Sequence, residues 1–222
     1  MDTMAPKTQR FLFSFGSILI LVISTFVLSA QTVAAASFVA AGRELPALME
    51  FAHQLENGQP GQLRGAYAPG LFAHVVVQQP SDKPTFVSPR KSILTQFSSA
   101  SDLGSTGLLA HNYLAGTAFG RIRSGQIIYL IYGDGRTQRY SVTQLFRYRA
   151  RQPESEQSDF TDLENGARLT SYSLFRLMYG RPGDLVLQTC IEADGIDSWG
   201  RLFVVAEPAA PQRTPHLALA GP

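Results

Sequence analysis

The sequence predicts a mainly β protein, a closed β-barrel or sandwich with short helices, preceded by an apolar N-terminal helix. Three observations support this. Valine, isoleucine, tyrosine and phenylalanine gather in short runs, about eight in number, bounded by turn residues. The 13 prolines and 19 glycines supply the turns. Helical periodicity is confined to a few short stretches, so strands pair over long separations instead of alternating with helices. At 222 residues, 45% of them hydrophobic, the chain has enough apolar content for one principal core plus attachments.

The elements follow in order. Lys7 and Arg10 precede the uncharged run FLFSFGSILILVISTFVLSA (11–30), and small residues around Ala34 and Ala36 suit a signal peptidase. This is the pattern of an export signal. Its length approaches the about 20 residues that span a bilayer. An uncleaved anchor is therefore the alternative, with the positive flank left on the cytoplasmic side. Residues 1–36 form this segment. In RELPALMEFAHQLENG (43–58), Leu45, Leu48, Met49, Ala52 and Leu55 recur at helical spacing and Gly58 stops the pattern. This amphipathic helix and a linker fill 37–62.

The barrel domain is expected over 63–207. QLRGAY and LFAHVVVQ are strands split by Pro69-Gly70, and QPSDKPTFVSPR is a proline-rich loop. KSILTQFSSA reads as a helical turn or short helix. TGLLAHNY is a strand with a polar end at His111 and Asn112. QIIYLIYGDGRTQRYSVTQLFRYRA is a hairpin whose Asp134-Gly135 supplies positive φ angles. RQPESEQSDFTDLENG (151–166) is a long polar loop. LTSYSLFRLMYG (169–180) is a short helix with Thr170 or Ser171 as N-cap and Gly180 as stop. DLVLQTC and GRLFVVAEP are strands around the loop IEADGIDSW. The tail, 208–222, is expected to be disordered.

A net charge of +2 gives no strong field that points to nucleic acid or an acidic membrane. The single cysteine, Cys190, excludes an internal disulfide. In an exported chain thiols tend to be oxidised and paired, so an unpaired one raises the question of its task. Cys190 ends one strand candidate, Arg201 opens the next, eleven positions on, and His111 ends a strand 79 positions upstream. These types suit acyl transfer. A thiolate is a strong nucleophile. An imidazole moves protons near neutral pH, and a guanidinium holds a carbonyl or an oxyanion. Each has a plainer reading: a small buried hydrophobe, a capping histidine, a surface charge. Spacing alone does not join them.

LVLQTC followed by WGRLFVVAEP resembles the C-terminal signature of the sortases, the cysteine transpeptidases of bacterial cell envelopes. Leu187, Gln188, Thr189 and Cys190 match their L-x-T-C, with Val186 where the family usually has Thr. LLAHN resembles the strand end that carries the family's histidine and places it at His111. GRLFVVA places the arginine at Arg201, and FGRIRSGQIIYLIYGDGRTQRYSV resembles the middle strands. The resemblance implies an eight-stranded β-barrel. It implies a thioester on Cys190 formed at a sorting-signal peptide, then acyl transfer to an amine at the cell envelope. His111 would be the general acid/base and Arg201 the substrate and oxyanion stabiliser.

Thr189, Asn112 and Trp199 are the neighbouring residues expected to meet substrate, although Trp199 packs either beside the cleft or under the barrel rim. Val186 leaves the sortase subclass open. No organic cofactor is implied. Glu192, Asp194 and Asp197 read first as a solvated turn, with a calcium site as the alternative, since oxygen ligands on a turn suit that ion. The expected partners are a peptide with a sorting motif, an amine acceptor and, through the N-terminal segment, a membrane. Nucleic acid is not expected. Two other readings keep the fold: a hydrolytic cysteine peptidase, and a non-catalytic surface barrel with Cys190 buried and His111 remote.

Overall fold

A computed structural model of the protein describes residues 45–155 and 157–210. The export segment, the start of the expected helix at 43 and the tail from 211 lie outside these residues. Ten strands form one sheet: β1 (Leu63–Ala68), β2 (Phe72–Gln78), β3 (Ile93–Phe97), β4 (Thr106–Leu109), β5 (Ile127–Tyr132), β6 (Thr137–Ala150), β7 (Phe160–Asp162), β8 (Arg168–Leu169), β9 (Leu185–Ala193) and β10 (Ile196–Pro208). The helices are α1 (Leu48–Leu55), α2 (Ser98–Ser101) and α3 (Ser171–Tyr179), with a 3-10 helix at Ala115–Arg121.

The strand order is β10-β9-β4-β3-β2-β1-β5-β6, and β6 pairs back onto β10. Those eight strands close the barrel, which leaves no free edge along it. β6 makes this closure possible because it is long enough for three partners. It pairs β5 from Thr137 to Ser141, β10 from Tyr140 to Arg149, and β7 from Tyr148 to Ala150. β7 and β8 then extend the sheet beyond the barrel as a short ribbon.

Side chains alternate across the wall. Leu185 and Leu187 of β9 and Leu202, Val204 and Ala206 of β10 point into the inner core. The 3-10 helix adds Ala115, Ala118 and Phe119, and Ile122 follows, at the barrel end where β4, β6 and β9 finish. The outward residues Val186, Phe203 and Val205 form a second cluster with Leu174, Met178 and Tyr179 of α3. α1 packs Phe51, Ala52 and Leu55 on Tyr67, Ala73 and Ile131, on the β1–β5 wall, away from β9. Its stop also ties to the barrel: the Asn57 and Gly58 N–H groups donate to Gly133 O at 2.8 and 2.9 Å.

Several expectations hold. α3 has Thr170 as N-cap, its hydroxyl accepting from Ser173 N–H at 3.1 Å, and Gly180 as stop. The β5–β6 hairpin forms at Asp134-Gly135, but only Gly135 has positive φ, +78°. Gly135 N–H donates to Tyr132 O and Tyr132 N–H to Arg136 O, so a turn with a glycine bulge replaces the two-residue turn. Other expectations are corrected. KSILTQFSSA contains a strand, β3, before its helical turn, because Ile93 and Leu94 are buried between β2 and β4. The 151–166 segment is not all loop: β7 lies inside it, with Phe160 as its buried anchor. Met49 faces water at 72% exposure, and Phe51 takes its place in the helix's buried stripe.

Candidate active site

Cys190 and Arg201 are direct partners in the antiparallel β9–β10 register. Opposed residues share a face, so both side chains leave the outer face of the barrel. β4 runs parallel on the other side of β9, with Leu109 opposite Gln188. The ladder runs on one step, Ala110 N–H donating to Gln188 O at 3.2 Å, and the next residue is His111. The three thus form a row, His111–Cys190–Arg201, across neighbouring strands about 4.8 Å apart. All three are half-buried.

Within the row each group is held separately, and among the described residues no hydrogen bond joins the three side chains. The Arg201 Nη1 donates to Ser198 O at 3.0 Å and Gly200 O at 2.9 Å, and the guanidinium lies 5.9 Å over the Phe160 ring. The His111 imidazole stacks on Tyr113, centroids 5.3 Å apart with 21° between planes. The His111 backbone is clamped. Its carbonyl accepts from Leu114 and Gly116 N–H, both at 3.0 Å. A Cβ at Gly116 would sit 2.7 Å from that carbonyl oxygen, so only glycine lets the chain turn back so closely.

The flanking residues differ from expectation. Cys190 and Arg201 lie inside their strands, not at the ends, because IEADGIDSW continues both strands around a two-residue turn. Asp194 and Gly195 take φ of 54° and 74° there. Glu192 and Asp197 are on strands and Asp194 on the turn, all exposed; among the described residues no three His, Cys, Asp or Glu side chains gather as a cation site. Thr189, expected to meet substrate, is turned inward by the alternation. It is 4% exposed, and its hydroxyl donates to Ala110 O at 2.9 Å, stitching β9 to the residue before His111. Asn112 is committed to the hairpin, its amide donating to Asp197 O at 3.1 Å. Trp199 lies at the rim, its ring 5.6 Å beneath the Arg149 guanidinium. Val186 is fully buried under α3, a packing position where a hydroxyl has no evident use.

Three neighbours escaped sequence reasoning. Phe160 faces Arg201 from a strand hidden in a polar stretch. Tyr113 orients the imidazole. Tyr179 OH donates to Gln188 Oε1 at 2.6 Å, pinning α3 beside the row. The spacing of Tyr113 from His111 was the only local signal for any of them.

Inside the barrel, His74 of β2 is 7% exposed and stacked on Phe72 at 4.8 Å. Its Nδ1 donates to Ala73 O at 3.2 Å, while Nε2 has no hydrogen-bond partner. Burial pushes its pKa down to about 4, and the nearby Ala73 and Ala115 backbones only partly offset this.

No family model matches the chain, and no curated protein matches it. Among solved structures it is similar to sortase C1 of Streptococcus agalactiae, at 17% identity and TM-score 0.44, over 73% of this chain and 74% of that one. It is also similar to sortase A of Listeria monocytogenes, at 14% identity and TM-score 0.42, over 67% and 88%. Sortase C of Clostridium perfringens SM101 follows at 14% and 0.40, over 74% and 86%. No helix among the described residues is long and apolar enough to cross a membrane.

Proposed function

We propose that this chain is a sortase-like cysteine transpeptidase acting at the cell envelope, to which the N-terminal segment delivers or anchors it. The observation that carries this reading is the row: a half-buried thiol with a guanidinium opposite on one strand and an imidazole at the end of the strand on its other side. The L-x-T-C match and the sortase resemblance of the flanking strands support it.

In the proposed reaction the Cys190 sulfur attacks the carbonyl carbon of a peptide bond in a sorting motif. A C–S bond forms as His111 takes the thiol proton, and the C–N bond breaks as His111 passes that proton to the leaving amine. Arg201 turns donors toward the carbonyl oxygen as it gains charge. An incoming amine then attacks the thioester, returns its proton to His111 and frees Cys190. The non-catalytic barrel would have an enclosed thiol and a remote histidine; a half-buried Cys190 with β4 and β10 as its neighbours favours the transpeptidase.

The test needs no substrate. The alkylation rate of Cys190 is measured against pH in the chain and in His111→Ala and Arg201→Ala. The expected result is a fast reaction whose pH profile moves in both variants. Slow alkylation, identical in all three, would make Cys190 a structural thiol and overturn the reading. An amine adduct in the product of a peptide screen then separates transfer from hydrolysis.

A further inference from the structure

The ribbon of β6, β7 and β8 has two unlike faces. Register pairs Tyr148 with Asp162 and Ala150 with Phe160 on the front, which joins the outer core and faces Arg201. Glu164 also lies near Tyr148. The back carries Arg147, Arg149 and Arg151 at every second position of β6 and its continuation. From Arg149 the row crosses Thr161 to Arg168 on β8. Leu163 sits beside Arg147, whose carbonyl accepts its N–H at 3.0 Å, and is 45% exposed.

All four arginines are exposed. The ion pairs among the described residues, His53–Glu56 and Arg136–Asp134, involve none of them. Asp159, whose carbonyl accepts the Arg151 N–H at 2.9 Å, is exposed and makes no ion pair with the stripe. A chain of net charge +2 thus gathers four guanidiniums on one ribbon face, with Asp159 at its edge opposite Arg151, while Asp162 lies on the other face. Four like charges this close make a local positive field that attracts anions and that salt screens.

We propose that this back face docks on an anionic lipid surface. The guanidiniums form a planar array, roughly 7 Å apart along β6 and 10 Å across to β8, which suits a plane of headgroups better than a groove-bound chain. A guanidinium fork grips phosphate oxygens. Arginine stems, the exposed Leu163 and the Trp199 indole beneath Arg149 supply the apolar and amphipathic groups that settle at headgroup depth. Docking by the back leaves the front, with Arg201, free for a substrate. The near-neutral net charge of the whole sequence hides this local field.

Trp199 is the sole tryptophan, so its fluorescence reports on this rim directly. The full chain is placed in nanodiscs of phosphatidylcholine and in nanodiscs containing phosphatidylglycerol. The expected result is a blue shift and reduced quenching only with the anionic lipid, reversed by high salt. The triple variant R147Q/R151Q/R168Q keeps Arg149 over the indole and should lose the response, its docked-to-free ratio falling about fivefold per arginine. An unchanged urea midpoint shows that the variant is folded, and the salt reversal tests the idea without any substitution. A response independent of lipid charge overturns the proposal. So does an equal response to soluble polyphosphate with neutral discs, which would make the partner a soluble polyanion. The readout does not involve the chemistry of Cys190, so this proposal and the transpeptidase reading fail separately.

Discussion

The outer face of the β9–β10 pair is built in two halves. Near Val186, Phe203 and Val205 it is sealed by α3, and the side chains there are buried. Four residues further along β9, past Gln188, the cover stops, and Cys190 and Arg201 stand half-open. The two halves share strands, register and face, so the difference comes from what lies on top. The lesson is that the sealed half holds the strands in place while the open half is free to carry unpaired polar chemistry.

The sharpest way to break this contrast is to cut one residue from each half. Phe203 packs between Tyr148 and Tyr179, with ring centroids 6.0 and 6.3 Å away. Phe203→Ala should cost about 3–5 kcal/mol in urea unfolding, whereas Cys190→Ser should stay within about 0.5 kcal/mol. Comparable losses would mean that the open half is structural after all.

A second test concerns the interior of the barrel behind both halves. His74 is held neutral by burial, with a pKa near 4 in the folded chain against an ordinary value of 6.5. Its folded pKa lies below the unfolded one, so the unfolded chain binds the extra proton first. Stability is therefore unaffected above about pH 6.5 and falls as the pH drops toward 4, by up to about 3 kcal/mol. His74→Phe, stacked on Phe72 in the same way, should flatten that part of the stability–pH curve. An identical slope in both proteins would place the acid sensitivity elsewhere.

The smallest effect is expected at the boundary of the two halves. Tyr179→Phe removes the hydroxyl that donates to Gln188 at 2.6 Å and should cost about 1 kcal/mol. If the pinning matters to the row, the alkylation rate of Cys190 changes as well; if only stability moves, α3 is simply a lid on the core.

The sealed half was largely legible in the sequence. Alternating leucine and valine in LVLQTC and GRLFVVAEP marks strands, and Thr170 and Gly180 bracket α3 by their capping chemistry. The row's membership was legible only through resemblance, since nothing local relates His111 to a residue 79 positions away. The open rim was misread for a physical reason. Within residues 191–199 the alternation of Ile191-Glu192-Ala193-Asp194 is cut short by Asp194-Gly195, and the acidic residues Glu192, Asp194 and Asp197 make the segment look like a loop. β7 is hidden in the same way, with Phe160 as its one buried apolar residue. The inward turn of Thr189 follows from parity alone, once the strand is known to continue past Cys190.

The topology also sets an order in time. β9 is inserted between β4 and β10, and β10 closes onto β6, so the pairings that build the row join Thr106 to Leu185 and Tyr140 to Pro208. Such contacts form only after long stretches of chain have been brought together. A chain emerging from its N-terminus presents His111 long before it has a cysteine. Cys190 in turn emerges before the strand that sets Arg201 opposite it. The thiol gains Arg201 opposite it only when the last strand docks, so completion of the fold is itself the step that assembles the row.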